Sequence, residues 1–133
     1  MSLEKALNTA QSQIPECVAA GYVDMSTGML LAVKTVDSHP SEVLDLVSAA
    51  TADLFQGTNV VAIEKIFKKS RGNTDNIHYF QEIFVFSTNL LHVFLRGKKH
   101  TNHATVFVCR GNANIGMVLA KARMALPNIE AAA

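Results

Sequence analysis

Apolar and polar positions along the chain follow helical and strand periods in turn, and these periods predict the secondary structure. Leu3, Ala6, Leu7 and Ala10 recur at helical spacing, and Pro15 follows directly after this segment. The pattern therefore predicts a first helix over roughly residues 2–13.

Two short apolar runs come next, at residues 17–24 and 29–36. The turn between them, residues 25–28, contains Gly28, which can adopt a positive φ without steric cost. These two runs therefore predict a β-hairpin.

The longest periodic segment runs from Pro40, a residue suited to the first position of a helix, to about residue 69. One continuous helix over this span would be roughly 45 Å long. A break at Gly57 is the alternative, because glycine costs about 1 kcal/mol inside a helix. The apolar stripe of this segment consists of Val43, Val47, Ala50, Leu54, Gly57 and Val61.

Three strands are predicted after a polar loop, at residues 80–86, 90–96 and 103–110. They are apolar at both odd and even positions. In the first of them, one side is formed by Phe80, Phe84 and Phe86 and the other by Ile83 and Val85. Continuous apolar strands predict a sheet that is covered on both faces.

A last helix is predicted from Asn114, a suitable N-cap, to Pro127, which should end it and leave a frayed tail at residues 127–133. The element order is then α-β-β-α-β-β-β-α, within a single domain that spans residues 1–133.

Composition adds a reason to expect a protein partner. Apolar residues make up 49% of the chain and charged residues 17%, against about 25% charged in an average domain. The excess apolar surface favours a permanent protein interface, although a well-filled core without a partner remains the alternative.

The N-terminal residues are too polar for a secretion signal, and no apolar run reaches the ~20 residues of a membrane span. The predicted location is therefore the cytoplasm.

Charge is divided unevenly along the chain. Residues 1–64 hold two basic and eight acidic side chains, whereas residues 65–133 hold ten basic and three acidic ones. Either the two halves interleave and neutralise each other, or a basic surface meets an acidic partner. That candidate surface consists of Lys65, Lys68, Lys69 and Arg71. The pI of 7.8 is too low to indicate nucleic-acid binding.

Candidate catalytic and metal-binding residues are few. His92, His100 and His103 lack a nearby cysteine or carboxylate, and His100 lies in a basic loop with Lys98 and Lys99 that would repel a cation, so no metal site is predicted. Cys109 lies in an apolar strand, where a buried thiol is usually inert. If the first and fifth strands are antiparallel neighbours, Cys17 lies close to Cys109, and both are expected to be reduced packing residues, with a redox role as the alternative. With no phosphate-binding loop, the sequence predicts neither an enzyme nor a cofactor.

Two stretches of the sequence resemble the Roadblock/dynein light chain superfamily. The first is the hairpin CVAAGYVDMSTGMLLAV, with Asp24 and Gly28 in the expected places. The second is the turn Asn112-Ala113-Asn114-Ile115-Gly116 before the last helix. The resemblance covers about residues 3–126 and depends on element order and turn residues. The middle helix, with its basic end KIFKKSR, is longer than in most relatives.

The resemblance implies an α+β, profilin-like fold with a five-stranded antiparallel sheet in the order 2-1-5-4-3. The first and last helices would lie on one face and the middle helix on the other. Such proteins commonly dimerise by pairing the third strand and packing the middle helices, and an exposed edge strand with a single charge needs such a cover. The predicted dimer interface consists of Val47, Ala50, Leu54, Gly57, Val61, Phe80, Glu82, Phe84 and Phe86.

Relatives of this kind bind motor complexes or regulate small Ras-like GTPases. The resemblance therefore implies a non-catalytic, homodimeric scaffold that docks or regulates a small GTPase or a larger complex, with Arg71 as a candidate contact residue. The alternative is a small-ligand sensor on a profilin-like or PAS-like sheet. Such a sensor would need a pocket between sheet and helix lined by polar groups such as His92 or Tyr22.

Overall fold

A computed structural model describes residues 2–35, 41–70, 72, 78 and 80–133, with the backbone alone for residues 41–46. In chain order, the described part of the protein forms α1 (Leu3–Gln13), β1 (Cys17–Asp24), β2 (Met29–Thr35), α2 (Ser41–Gln56), α3 (Thr58–Ser70), β3 (Glu82–Phe86), β4 (Leu90–Arg96), β5 (His103–Arg110) and α4 (Ile115–Ala132).

The five strands form one antiparallel sheet in the order β2-β1-β5-β4-β3. The turn between β1 and β2 follows from its residues: Gly28 has a φ of 74°, and the Ser26 N–H donates to Asp24 Oδ1 at 3.0 Å. The predicted fold class and strand order are confirmed.

Helices cover both faces of the sheet. On one face, α1 and α4 contribute Leu7, Val118 and Ala122 to an apolar cluster with Val93 and Phe107 of the sheet. On the other face, α2 inserts the fully buried Phe55 among side chains of β1, β4 and β5. The central strands are therefore buried on both sides, as their continuous apolar sequence predicts.

The middle helical region breaks at Gly57, so the continuous-helix prediction is wrong and the alternative is confirmed. The helical hydrogen bonds continue across the break, from Gly57 N to Asp53 O at 3.0 Å and from Val61 N to Gly57 O at 3.0 Å. The backbone there is unusually tight, because a Cβ placed on Gly57 would lie 2.6 Å from Asp53 O. The predicted helix start at Pro40 lies outside the described residues.

Strand β3 is shorter than predicted, because it begins at Glu82. Phe80 precedes the strand and packs against the α2-side cluster, as Ile83 does. Phe84 and Phe86 lie on the opposite face, since they pair with Val93 and Leu91, whose side chains belong to the cluster under α1 and α4. The prediction that Phe80 shares a side with Phe84 and Phe86 is therefore wrong.

Helix α4 continues through Pro127, so the predictions that Pro127 ends it and that the tail is frayed are also wrong. Proline removes a helical hydrogen bond, but the following turn is anchored by other contacts. Ile129 is fully buried, and the Glu130 carboxylate accepts backbone N–H bonds from the loop between β4 and β5. Tertiary contacts therefore outweigh the local effect of proline.

Candidate interaction surface

Three predicted interface residues on α2 line an open groove beside the edge of the sheet. Val47, Ala50 and Leu54 form its helical wall, and Val85 and Phe94 form its sheet side. The groove has a volume of about 460 Å³, and Asp53 and His92 complete its lining. We call this surface the α2 groove. A protein surface that is apolar and concave in this way is suited to receive apolar side chains of a partner.

Strand β3 is an outer strand of the sheet, with β4 as its neighbour. Its side chains are unusually exposed for apolar residues: Phe84 is 36%, Val85 40% and Phe86 59% exposed. Val85 faces the α2 groove, whereas Phe84 and Phe86 face the α4 side. An exposed apolar edge strand of this kind promotes pairing with another chain.

Glu82, the charged residue of β3, is paired with Arg123 on α4. Arg123 Nε donates to Glu82 Oε2 at 2.8 Å, and Arg123 Nη2 donates to Glu82 Oε1, so that the contact is bidentate. The Arg123 guanidinium holds the pKa of Glu82 below its usual range. The sequence predicts Glu82 as an interface residue but does not predict its bond to Arg123, since the two residues are 41 positions apart.

Helix α3 combines exposed lysines with exposed apolar residues. Lys65 and Lys69 are exposed and Lys68 is half-buried. Gly57 lies at the break that precedes α3, and the stripe residue Val61 is 36% exposed. The other large exposed apolar side chains of α3 are Ile63, Ile66 and Phe67. Arg71, the fourth residue of the predicted basic surface, lies outside the described residues.

The acid of α3 is turned away from solvent. Glu64 is buried, and its Oε2 lies 3.3 Å from Nδ1 of His78. The exposed part of α3 therefore presents positive charge without a compensating carboxylate on the same helix.

Arg96 connects the elements behind this surface, and sequence reasoning did not identify it. It is only 2% exposed, and its guanidinium lies 5.0 Å from the centre of the Phe55 ring. Its N–H groups donate to the backbone oxygens of Phe55 at 3.1 Å, Phe80 at 2.9 Å and Thr101 at 2.9 Å. Arg96 thus joins the end of α2, the residues before β3 and the loop after β4.

No family model and no curated protein matches the sequence. Solved structures do match it. A Roadblock/LC7 domain from Streptomyces avermitilis superimposes with a TM-score of 0.70 over 98% of this chain and 97% of that one, at 11% sequence identity. The chain has the Roadblock/LC7 fold.

Two further structures agree with this result. The gliding protein MglB from Thermus thermophilus gives a TM-score of 0.69 over 98% of this chain and 90% of that one, at 21% identity. A structure described as MglB with a tetrameric arrangement gives 0.72 over 98% of this chain and 87% of that one, at 19% identity.

The two cysteines of this Roadblock/LC7 fold lie opposite each other on neighbouring strands. Cys17 of β1 pairs with Cys109 of β5, and both thiols are free and buried. The expectation that they are close is confirmed. The hydrogen bond between the two thiols and their burial raise the pKa of Cys17, so that its thiolate, the reactive form, is disfavoured.

The described histidines His100 and His103 contact other side chains of this Roadblock/LC7 fold. His103 Nδ1 lies 2.9 Å from the hydroxyl of Tyr22, and the His100 and His103 rings are 5.2 Å apart. Among the described residues, no three His, Cys, Asp or Glu side chains converge on a common point.

Burial, followed by the nearby charge of Glu130, raises the pKa of Tyr22 to about 12. Of the two polar residues that the sensor alternative names, Tyr22 is fully buried, whereas His92 lines the α2 groove between helix and sheet.

Within the part of the chain that the structure describes, no helix is both long enough and apolar enough to cross a lipid bilayer.

Proposed function

We propose that this protein is a non-catalytic, homodimeric interaction scaffold that works in the cytoplasm, where Cys17 and Cys109 remain reduced. The observation that supports it best is the continuity of two exposed apolar surfaces. Val85 belongs both to the open edge of β3 and to the α2 groove. One partner could therefore cover the edge and the groove together.

A second copy of the chain suits this surface. Pairing β3 with its symmetry mate would satisfy the backbone groups along the open edge, and a two-fold contact places the same surface on both copies. Each α2 would then lie near the groove of the other copy, over Val47, Ala50 and Leu54. The resemblance to Roadblock proteins supports this arrangement, and the tetrameric arrangement described for MglB shows that a protein of this fold can self-associate.

A further partner would contact α3. Lys65, Lys68 and Lys69 lie on this helix together with exposed apolar residues, while Glu64 is buried. We propose an acidic protein surface as the partner, and the resemblance favours a small Ras-like GTPase. As a scaffold, the dimer would act by holding a conformation of the GTPase's own switch loops.

The dimer is tested by light scattering. The wild type should have twice the chain mass of 14.4 kDa at micromolar concentration. Ala50→Glu places a charge in the α2 groove and should give a monomer that is still folded by circular dichroism. Ala49→Glu is the matched control, because Ala49 is exposed on the same helix but does not line the groove. A monomeric wild type would refute the proposal.

The partner is tested with a purified Ras-like GTPase from the source organism, loaded with GDP or with a non-hydrolysable GTP analogue. Binding should depend on the nucleotide, and the variant Lys65→Glu/Lys68→Glu/Lys69→Glu should lower the affinity at least tenfold. The control variant Lys5→Glu/Lys34→Glu/Lys121→Glu changes the net charge equally but leaves α3 intact. Equal binding by both variants would remove α3 as the contact, and no binding to either nucleotide state would remove the GTPase.

A further inference from the structure

A second concave surface lies on the face of the sheet opposite the α2 groove. It is formed between α4 and the ends of β3 and β4. This cleft has a volume of about 340 Å³. Leu95 and Leu126 form an apolar floor, and Pro127 and Ala131 line it from the last turns of α4. We call it the α4 cleft. It is distinct from the α2 groove, since the two surfaces have no lining residue in common.

Both carboxylates of the α4 cleft are already compensated within the protein. Glu82 is held by Arg123 in the bidentate contact described above. Glu130 accepts three backbone N–H bonds, from Lys98 at 2.9 Å to Oε1 and from Lys99 and His100 at 2.8 Å each to Oε2. Successive N–H groups that converge in this way stabilise an anion.

The charges of two lysines in the cleft, unlike those of the two carboxylates, are not compensated by an ion pair among the described residues. Lys98 and Lys99 line the cleft, and within the described residues neither ammonium group forms an ion pair. The positive charge of Lys98 also contributes to lowering the pKa of Glu82, which lines the same cleft. The cleft therefore combines apolar lining residues with two lysines that form no ion pair among the described residues, while its two acids are compensated within the protein.

We propose that the α4 cleft binds a small amphipathic anion, with its carboxylate or phosphate head at Lys98 and Lys99 and its apolar body on Leu95, Leu126 and Pro127. Apolar pockets with a few well-placed polar groups are typical ligand sites. The bonds to Glu130 fix the backbone of Lys98 and Lys99, so the loop itself needs little reorganisation when the two side chains meet the head group. This site shares Glu82 with the proposed β3 dimer edge, but it has no lining residue in common with the α2 groove or with α3.

The test uses four probes with the same eight-carbon chain on the full-length protein: octanoate, octyl phosphate, octyltrimethylammonium and 1-octanol. Backbone amide shifts in NMR spectra locate and quantify binding. We expect the two anions to shift the amides of Lys98, Lys99 and Ala131, and to bind at least tenfold more tightly than the cation or the alcohol. The tighter of the two anions identifies the head group.

Two pairs of variants test the charge and the cavity separately. Lys98→Gln/Lys99→Gln should weaken octanoate binding at least fivefold, whereas Lys5→Gln/Lys121→Gln, which removes the same charge elsewhere, should not. Ala131→Phe should fill the cleft and weaken binding at least tenfold, and Ala120→Phe, on an exposed part of the same helix, should not. Equal binding of all four probes, shifts confined to the α2 groove, or no shifts with any probe would overturn the proposal.

Discussion

Arg96 shows how a single residue can join three elements of a fold. Its donors satisfy the carbonyl groups of Phe55, Phe80 and Thr101, which lie on separate segments. The sequence does not reveal this role, because an arginine at a strand end before a polar loop is normally exposed. Only the packing of α2 against the sheet shows that this arginine is buried.

Replacing Arg96 should therefore be costly. We expect Arg96→Met to lower the free energy of unfolding by about 3 kcal/mol, since the buried carbonyl group of Phe55 and the partly buried ones of Phe80 and Thr101 lose their charged donor. Urea unfolding measures the change. Arg110→Met is the control: the pair of Arg110 and Glu16 is largely exposed, so its loss should cost about 1 kcal/mol or less. Equal losses in the two variants would contradict the role assigned to Arg96.

Glu130 should make the stability depend on pH. Burial raises its pKa, but the bonds from the N–H groups of His100, Lys98 and Lys99 outweigh this effect and lower it overall. The charged form is thus favoured in the folded state. Its contribution is complete above the unfolded pKa, about 4.3, and is lost as the pH falls through the folded value.

We accordingly expect the free energy of unfolding to fall less steeply in Glu130→Gln than in the wild type as the pH drops from about 5 to about 3. Urea unfolding at a series of pH values measures this slope. Glu4→Gln removes an exposed carboxyl on α1 and serves as the control. The same slope in wild type and Glu130→Gln would show that the N–H bonds do not stabilise the carboxylate.

At the scale of elements, the local sequence pattern predicts the bounds of those strands and helices that local interactions determine. Strands β1, β4 and β5 have the predicted bounds, because their apolar runs are long and end at turn residues. The frayed tail was predicted from Pro127 alone, but Glu130 and Ile129 hold the last turn through contacts that are distant in sequence. The open α2 groove could be anticipated from the helical stripe, whereas the α4 cleft depends on the approach of α4 to the end of β4.

At Gly57 we expect alanine to be less stable than glycine, the reverse of the usual order of these two residues inside a helix. Replacing glycine by alanine inside a helix normally stabilises by roughly 0.5–1 kcal/mol. Here the new Cβ would lie 2.6 Å from Asp53 O, so we expect Gly57→Ala to destabilise by about 1–2 kcal/mol. Thermal unfolding measures the effect, with Asn59→Ala on α3 as a control that should be neutral or slightly stabilising. A Gly57→Ala variant that is more stable than the wild type would show that the backbone at the break can move away from the new Cβ without a loss of stability.

At the scale of the whole molecule, the uneven charge of the sequence is partly neutralised by the fold. β1 of the acidic half lies between β2 and β5, and Glu16 pairs with Arg110 at 3.2 Å. The lysines of α3 are not neutralised by an acid on their own helix, because its acid is buried. The two halves therefore interleave at the sheet, whereas the lysines of α3 have no acid on the exposed part of their own helix.

If the protein is a dimer, its stability should depend on its concentration. Association stabilises the folded state by mass action, so the Tm of the wild type should rise with each tenfold increase in concentration. The Tm of Ala50→Glu should stay constant over the same range. Scanning calorimetry at several concentrations measures both, and a constant Tm for the wild type would indicate that no dissociable dimer exists.

The position of β1 between β2 and the central strand β5 has a consequence for synthesis of the chain. β1 pairs with β5 from Cys17 opposite Cys109 to Asp24 opposite His103, so roughly 80 residues must be translated between the two strands. At about 5–20 residues per second, this takes roughly 4–16 s. During that time a strand that is apolar on both faces lacks its central neighbour. A nascent chain of this protein should therefore need shielding by the ribosome surface or a chaperone until its last strand has emerged.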